Sequence, residues 1–134
     1  MHEIRDYLFK NYYGKYRGKE PIEIPSVDQV DQAIKFYRDH VVIIHNNGIT
    51  GVGIFVTLSD KTYENLENLD LKDADTLIKI VQETGDNVHF ILIATEGFKN
   101  IMLLGEEVKK IMKPKTVSWW NPEMTKLHKY KLGG

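Results

Sequence analysis

Cysteine is absent from the 134 residues. That excludes a disulfide scaffold, a cysteine-ligated zinc ribbon and a thiol nucleophile. No apolar run approaches the roughly 20 residues that a membrane-spanning helix needs. Neither sign of charge dominates, because 18 Lys and Arg stand against 19 Asp and Glu for a formal net charge of -1. A basic field over the whole molecule is therefore missing, and nucleic acid is not an expected partner. Proline is sparse at four residues, and no repeat or low-complexity tract interrupts the chain. The opening Met1-His2-Glu3-Ile4-Arg5-Asp6 is charged and carries no apolar leader. The expectation is a cytoplasmic protein with no membrane partner and no metal site.

What is present suits one folded domain spanning residues 1–134. At this length folding buries roughly two-thirds of the unfolded surface, enough for a core without covalent staples. Ile4, Tyr7, Leu8 and Asn11 or Tyr12 recur at helical spacing, predicting a first helix over residues 3–12. Residues 13–25, rich in Gly, Lys and Pro, read as a loop. Ser26 followed by Gln29 has the pattern of a capping box and opens a second helix, with Val27, Val30, Ile34 and Tyr37 as its apolar stripe.

Val41-Val42-Ile43-Ile44, then Asn46-Asn47-Gly48, then Val52-Gly53-Ile54-Phe55-Val56-Thr57-Leu58 predict a β-hairpin. Asn-Gly supplies the positive φ angles that a tight turn requires. Asp70 to Asp73 leads into a helix with Ala74, Leu77, Ile78 and Val81 on its apolar face, closed by Gly85 at the C-cap. The almost wholly apolar run over residues 88–95 predicts a central strand buried on both faces. Glu96-Gly97-Phe98-Lys99-Asn100 reads as a turn. Ile101, Leu104, Val108 and Ile111 then mark a helix that Lys113-Pro114-Lys115 ends. Thr116-Val117-Ser118-Trp119-Trp120 predicts a strand, Asn121-Pro122-Glu123 a turn, and residues 126–132 a last strand. The expected fold is α/β, with a mixed sheet of five or six strands and helices on both faces.

The strand-turn-helix unit from Val88 to Met112 is where chemistry is expected. A buried strand that feeds a helix through a Gly-containing turn leaves free N–H groups at the helix start, and these favour a phosphate. Gly97 lets the backbone approach a ligand, and Lys99 adds a point charge. The plain alternative is a βα turn with an incidental Gly, since neither standard phosphate-loop pattern is present.

The stretch from Val41 to about Leu132 resembles the GNAT-type N-acyltransferases. It is most similar to their short, divergent members, such as phage-encoded versions and the toxin-activating lysine acyltransferases. The hairpin entering Gly51-Val52-Gly53-Ile54-Phe55-Val56 carries the resemblance, with His89-Phe90-Ile91-Leu92-Ile93-Ala94, the turn from Glu96 to Asn100, the helix after it and Val117-Ser118-Trp119-Trp120. The resemblance implies a single GNAT-like domain in which a strand pair parts to admit the pantetheine arm of acetyl-CoA or another acyl-CoA. Leu92, Ile93 and Ala94 would line the arm, while Gly97, Phe98, Lys99, Asn100 and Ile101 would hold the phosphates. The turn departs from the family pattern: after Gly97 it has no second small residue. The implied activity is N-acyl transfer to a small-molecule or protein amine. The alternative is a non-catalytic binding or phage accessory module on the same fold.

Acyl transfer needs the two reactants held together, a base for the amine proton and an acid for the departing thiolate. His89, His45 and Glu96 are the candidate bases. Glu96 is preferred because it follows the central strand's C-terminal end, where open α/β sheets bind ligands. By the resemblance, Tyr130 is the candidate acid. Each has a structural alternative: a satisfied strand histidine, a helix-start carboxylate, and a packed edge-strand aromatic. Adjacent Trp119 and Trp120 point to opposite strand faces, so one is expected in the core. Two stretches that interleave Lys and Tyr, residues 10–19 and 126–131, have the residue types that stack bases and contact phosphates of a nucleic acid; the plainer alternative is solvated faces with snorkelling stems. The first is also a possible homodimer surface.

Overall fold

Asn47 and Gly48 adopt φ angles of 55° and 110° in the computed structural model, which describes residues 2–13, 26–71, 73–95, 98–121 and 125–132. They join β1 (Val41–His45) to β2 (Ile49–Leu58) as the antiparallel hairpin that Asn-Gly predicts. The ladder pairs Val41 with Ile54 and Ile44 with Gly51, then slips by one residue beside His45. One five-stranded sheet has the order β1-β2-β3-β4-β5, where β3 is Asn87–Thr95, β4 Thr116–Trp120 and β5 Leu127–Lys131. β3 and β4 are parallel, while β4 and β5 are antiparallel, so the sheet is mixed as expected. The helices are α1 (His2–Leu8, continued by a π-helical stretch Phe9–Tyr13), α2 (Val27–Phe36), α3 (Asp60–Glu64), α4 (Ala74–Val81) and α5 (Phe98–Lys109). None is long and apolar enough to cross a membrane. The chain clusters into two compact units, Met1–Ile54 with Leu92–Glu107, and Phe55–Ile91 with Val108–Gly134.

In the first unit Tyr7, Leu8, Val30, Ile34, Val52 and Ala94 form the core, so α1 and α2 pack on β2 and the end of β3. Directional bonds fix the docking. The Tyr7 hydroxyl donates to the Thr50 carbonyl at 2.7 Å, and Arg5 donates to Asp31 at 3.2 Å. The capping box is present in full: Gln29 N–H donates to Ser26 Oγ, and Ser26 N–H donates to Gln29 Oε1. Of the expected stripe, Val30, Ile34 and Tyr37 are buried, but Val27 is exposed. As the first helical residue it sits at the rim of the contact. Replacing Ser26 with Ala should cost about 1 kcal/mol of stability, and Ser26→Asp, which keeps an acceptor, should cost little. Urea midpoints measure both.

In the second unit Val56, Leu58, Leu66 and Ile80 make the core, with Leu77, Val81 and Ile91 packed against it. Within the polar entry over residues 70–73, Asp73 is the residue that caps α4, accepting from Thr76 N–H at 3.1 Å. Three expectations need correction. Ile80 is buried and Ile78 exposed, so the buried face of α4 is turned by about one residue from the predicted one. The C-cap is Gln82, not Gly85, which lies against the Leu58 backbone with no room for a side chain. Ile111 falls after α5 ends at Lys109 and is exposed. Residues 59–69, which carry no strong sequence signal, hold α3 and a short 3-10 turn over Leu66–Asn68.

Candidate functional site

The ladder between β3 and β4 runs from Asn87–Thr116 to Phe90–Trp119. β3 continues five residues further, to Thr95. β2 is the neighbour of β3 on the other side from β4, and alternate residues of a strand turn their N–H and C=O groups to opposite edges. Leu92 and Ala94 direct their side chains into the first unit's core beside Val52. What they offer a ligand is therefore main chain, the pairing group that an extended amide-bearing arm requires. Helix α5 begins at Phe98, three residues after Thr95. The expected turn over Phe98-Lys99-Asn100 is thus the first helical turn, because the helix starts earlier than the Ile101 boundary. The backbone amides of those residues are the ones that lack intrahelical acceptors. Ile101 is half-buried and Leu104 fully buried, which fixes that end of the helix on its unit. Glu96 and Gly97 lie outside the described residues, as do the side chains of Phe98, Lys99 and Asn100. Among the described residues the β3–β4 ladder stops at Phe90–Trp119, and α5 opens three residues after β3 ends.

The candidate bases separate. His45 is exposed at the end of β1. A Cβ on Gly51 would meet Ile44 Cδ1 at 2.9 Å and Thr95 Cγ2 at 3.1 Å, so β1, β2 and β3 lie side by side there. His45, next to Ile44, and Thr95, next to Glu96, therefore belong to one end of the first unit's sheet. His89 is elsewhere. The parallel register sets it beside Ser118, where Nδ1 lies 2.8 Å from Ser118 Oγ, and both side chains are fully buried. Ser118 Oγ also lies 3.4 Å from the Val88 carbonyl. If the single hydroxyl proton is assigned to that carbonyl, Nδ1 carries the ring proton and Nε2 presents a lone pair. Nε2 is buried without a hydrogen-bond partner. Desolvation, reinforced by the charge of Lys129, pushes the imidazole down to about 4. A ring sealed in this way cannot reach a substrate amine, so His89 leaves the set of candidate bases. The structural alternative of a satisfied strand histidine is met only in part, since Nδ1 has Ser118 and Nε2 has no hydrogen-bond partner.

Other buried polar groups share this unit. Asn87 donates to the Leu58 carbonyl at 3.1 Å and to Asp60 at 2.8 Å, while accepting from Thr116 at 2.8 Å. Lys115 closes the group with a 2.9 Å ion pair to Asp60. The Asn87 amide first, and Lys115 second, hold the Asp60 carboxyl below its usual range. Sequence reading missed Asn87, Thr116 and Ser118. The available signal was polar residues at alternate positions of two apolar strands, Asn87 with His89 and Thr116 with Ser118. Alternation puts each pair on one face, and neighbouring strands bring the pairs together.

Tyr130, the candidate acid, lies on β5 with its ring stacked on Trp119 at 5.2 Å and 11°. His128 stacks on the same indole at 5.2 Å and 18°. Of the two tryptophans, Trp119 is the buried one, as the alternation requires, and Trp120 is half-buried with its indole N–H sealed and unpartnered. The Asn121 turn holds through its side chain, which accepts from Thr125 and Lys126 N–H; Pro122 and Glu123 lie outside the described residues. Residues 14–25, which hold most of the expected loop over 13–25 and part of the Lys/Tyr stretch over 10–19, also lie outside them. Among the described residues no group of three His, Asp or Glu side chains is arranged to hold a metal. No protein-family model, no curated protein and no solved structure matches this chain.

Proposed function

We propose that the chain is a GNAT-like N-acyltransferase that moves an acyl group, acetyl in the simplest case, from a coenzyme A thioester to an amine. The observation that carries this reading is the end of the β3–β4 ladder at Phe90–Trp119, with β3 running on to Thr95 and α5 opening at Phe98. The main chain of Leu92, Ile93 and Ala94 would pair with the pantetheine amides. The amides of Gly97, Phe98, Lys99, Asn100 and Ile101 would hold the diphosphate, aided by the helix dipole and the Lys99 charge. A bound thioester supplies the activated carbonyl. Holding it beside the amine is the largest contribution asked of the protein. In this reading Glu96 or His45 takes the amine proton; Tyr130 pairs with Val117, which pairs with Val88 six residues before Ala94 on β3, and is given no part in the transfer.

Acetyl-CoA at 100 times its dissociation constant should stabilise the fold by about 2.7 kcal/mol. For a chain of this size that is a rise in melting temperature of roughly 10 °C. Absence of both a thermal shift and calorimetric heat at millimolar acetyl-CoA removes the reading. A second reading, a non-catalytic binding or phage accessory module, draws on the sealed state of His89, which leaves one fewer base to act. Release of free coenzyme A thiol in the presence of any amine would eliminate it.

A further inference from the structure

Charge is unevenly placed along this near-neutral chain. Residues 108–134 hold seven lysines against one glutamate, a formal +6, so residues 1–107 carry -7 of the total of -1. The basic stretch is the second segment of one compact unit and includes β4 and β5. All seven lysines are exposed. Lys115 is held by Asp60, and Lys129 by the Tyr63 carbonyl and the face of the Tyr63 ring at 4.6 Å.

β5 is the last strand of the sheet, so its outer edge has no strand partner among the described residues. Its even-numbered residues are His128 and Tyr130, both stacked on Trp119. Trp119 is 9% exposed and forms the floor, while Tyr130 is 49% exposed. One ring face covered and one open gives an exposure of that size. Lys126 precedes the strand, while Lys129 and Lys131, at odd positions, leave it on the face opposite the rings. An aromatic face backed by a fixed indole, on an edge strand whose lysines project from its other face across one strand's width, has the two parts that unpaired nucleotides require: a stacking surface and phosphate neutralisation.

We propose that β5 and the aromatic stack it carries form a binding surface for single-stranded nucleic acid. A second copy of this chain fits the edge less well, because lysines along an edge strand oppose edge-to-edge pairing. A duplex or an anionic membrane would use the lysines but has no need of an open ring face. The inference takes Tyr130, the candidate acid, for its ring and not for its hydroxyl, and so does not rest on the acyl-transfer reading. Its residues lie in one unit, and its assay contains no thioester.

The test uses the full chain and fluorescence-labelled 16-mers of deoxythymidine and uridine, titrated at several salt concentrations. Affinity should fall steeply with salt. Tyr130→Ala should weaken binding about tenfold or more, and Tyr130→Phe, which keeps the ring, should bind like the parent. A Lys126→Ala and Lys131→Ala double variant should lower the slope of log affinity against log salt by about 1.4, near 0.7 for each phosphate no longer neutralised. Thermal melts establish that each variant is folded, and Tyr130→Phe keeps the comparison readable if Tyr130→Ala is not. The proposal is overturned by no binding at low salt, or by equal affinity for a duplex of the same length. It is also overturned if Tyr130→Phe binds as weakly as Tyr130→Ala. Binding to anionic phospholipid vesicles, or self-association by sedimentation, that disappears in Tyr130→Ala assigns the surface to that other partner and overturns it equally.

Discussion

Between pH 7 and pH 4 the protein should lose about 3 kcal/mol of folding stability through one group, His89. In the unfolded chain its imidazole titrates near 6.5. In the folded protein desolvation, with the charge of Lys129 second, pushes it down to about 4. Between those values the unfolded state holds a proton that the folded state refuses, so stability falls as pH falls. The contribution is whole above pH 7, declines through the window and is gone near pH 4. A displacement of about 2.5 pH units at 1.36 kcal/mol each gives the magnitude. Asp60, whose carboxyl the Asn87 amide and Lys115 hold below its usual range, adds to the loss in the same direction, and only at the acid end of this window. Urea midpoints at pH 7, 6, 5 and 4 measure the loss, and His89→Gln should flatten the curve. If the parent is as insensitive to pH as that variant, the imidazole is not sealed, and the reason for removing it from the candidate bases disappears with it.

Features governed by residues close in sequence were legible. Asn47-Gly48 determines its turn through its own backbone freedom, and Ser26 with Gln29 closes a capping box within four residues. Neither needs a partner from elsewhere in the chain. α4 shows where that stops. Ala74, Leu77, Ile78 and Val81 form an apolar stripe, but Leu77, Ile80 and Val81 form another, and only the position of Val56 and Leu58 decides between them. α3 is five residues long and has no buried residue, so it carries no periodic signal; Glu83 supports it from outside, accepting from Ser59 and Thr62. The candidate site divides in the same way. Its strand and helix were legible from apolar run and period. The end of the β3–β4 ladder was not, because register depends on which residues meet across strands. Ser118 beside His89 follows from that same register.

Gly85 is the position where substitution should cost most for the smallest added volume. A Cβ there would collide with the carbonyl oxygen and carbon of Leu58 and lie 2.8 Å from the Ser59 nitrogen. All three obstacles are backbone, and that backbone is tied. The Thr57 hydroxyl donates to the Glu83 carbonyl at 3.1 Å, Ser59 N–H donates to the Glu83 carboxylate at 3.1 Å, and Asn87 donates to the Leu58 carbonyl at 3.1 Å. Relieving the clash means moving the end of β2 against these bonds and against fully buried Leu58. Overpacking of a side-chain core costs typically 1–3 kcal/mol. With main chain as the obstacle, Gly85→Ala should cost about 3 kcal/mol or more, a large part of the 5–15 kcal/mol that stabilises an ordinary domain. Two glycines calibrate the result. Gly51→Ala meets the far end of the Ile44 side chain, which can turn aside, and should cost less. Gly105 lies within α5 with nothing within 4 Å of a Cβ, so Gly105→Ala should stabilise by up to about 1 kcal/mol. Denaturant midpoints for the three variants should therefore fall in the order Gly105→Ala, Gly51→Ala, Gly85→Ala, from most to least stable. A Gly85→Ala protein as stable as the parent would mean that Leu58 and Gly85 do not approach as described, and that the closure of β2 against residues 83–87 has to be redrawn.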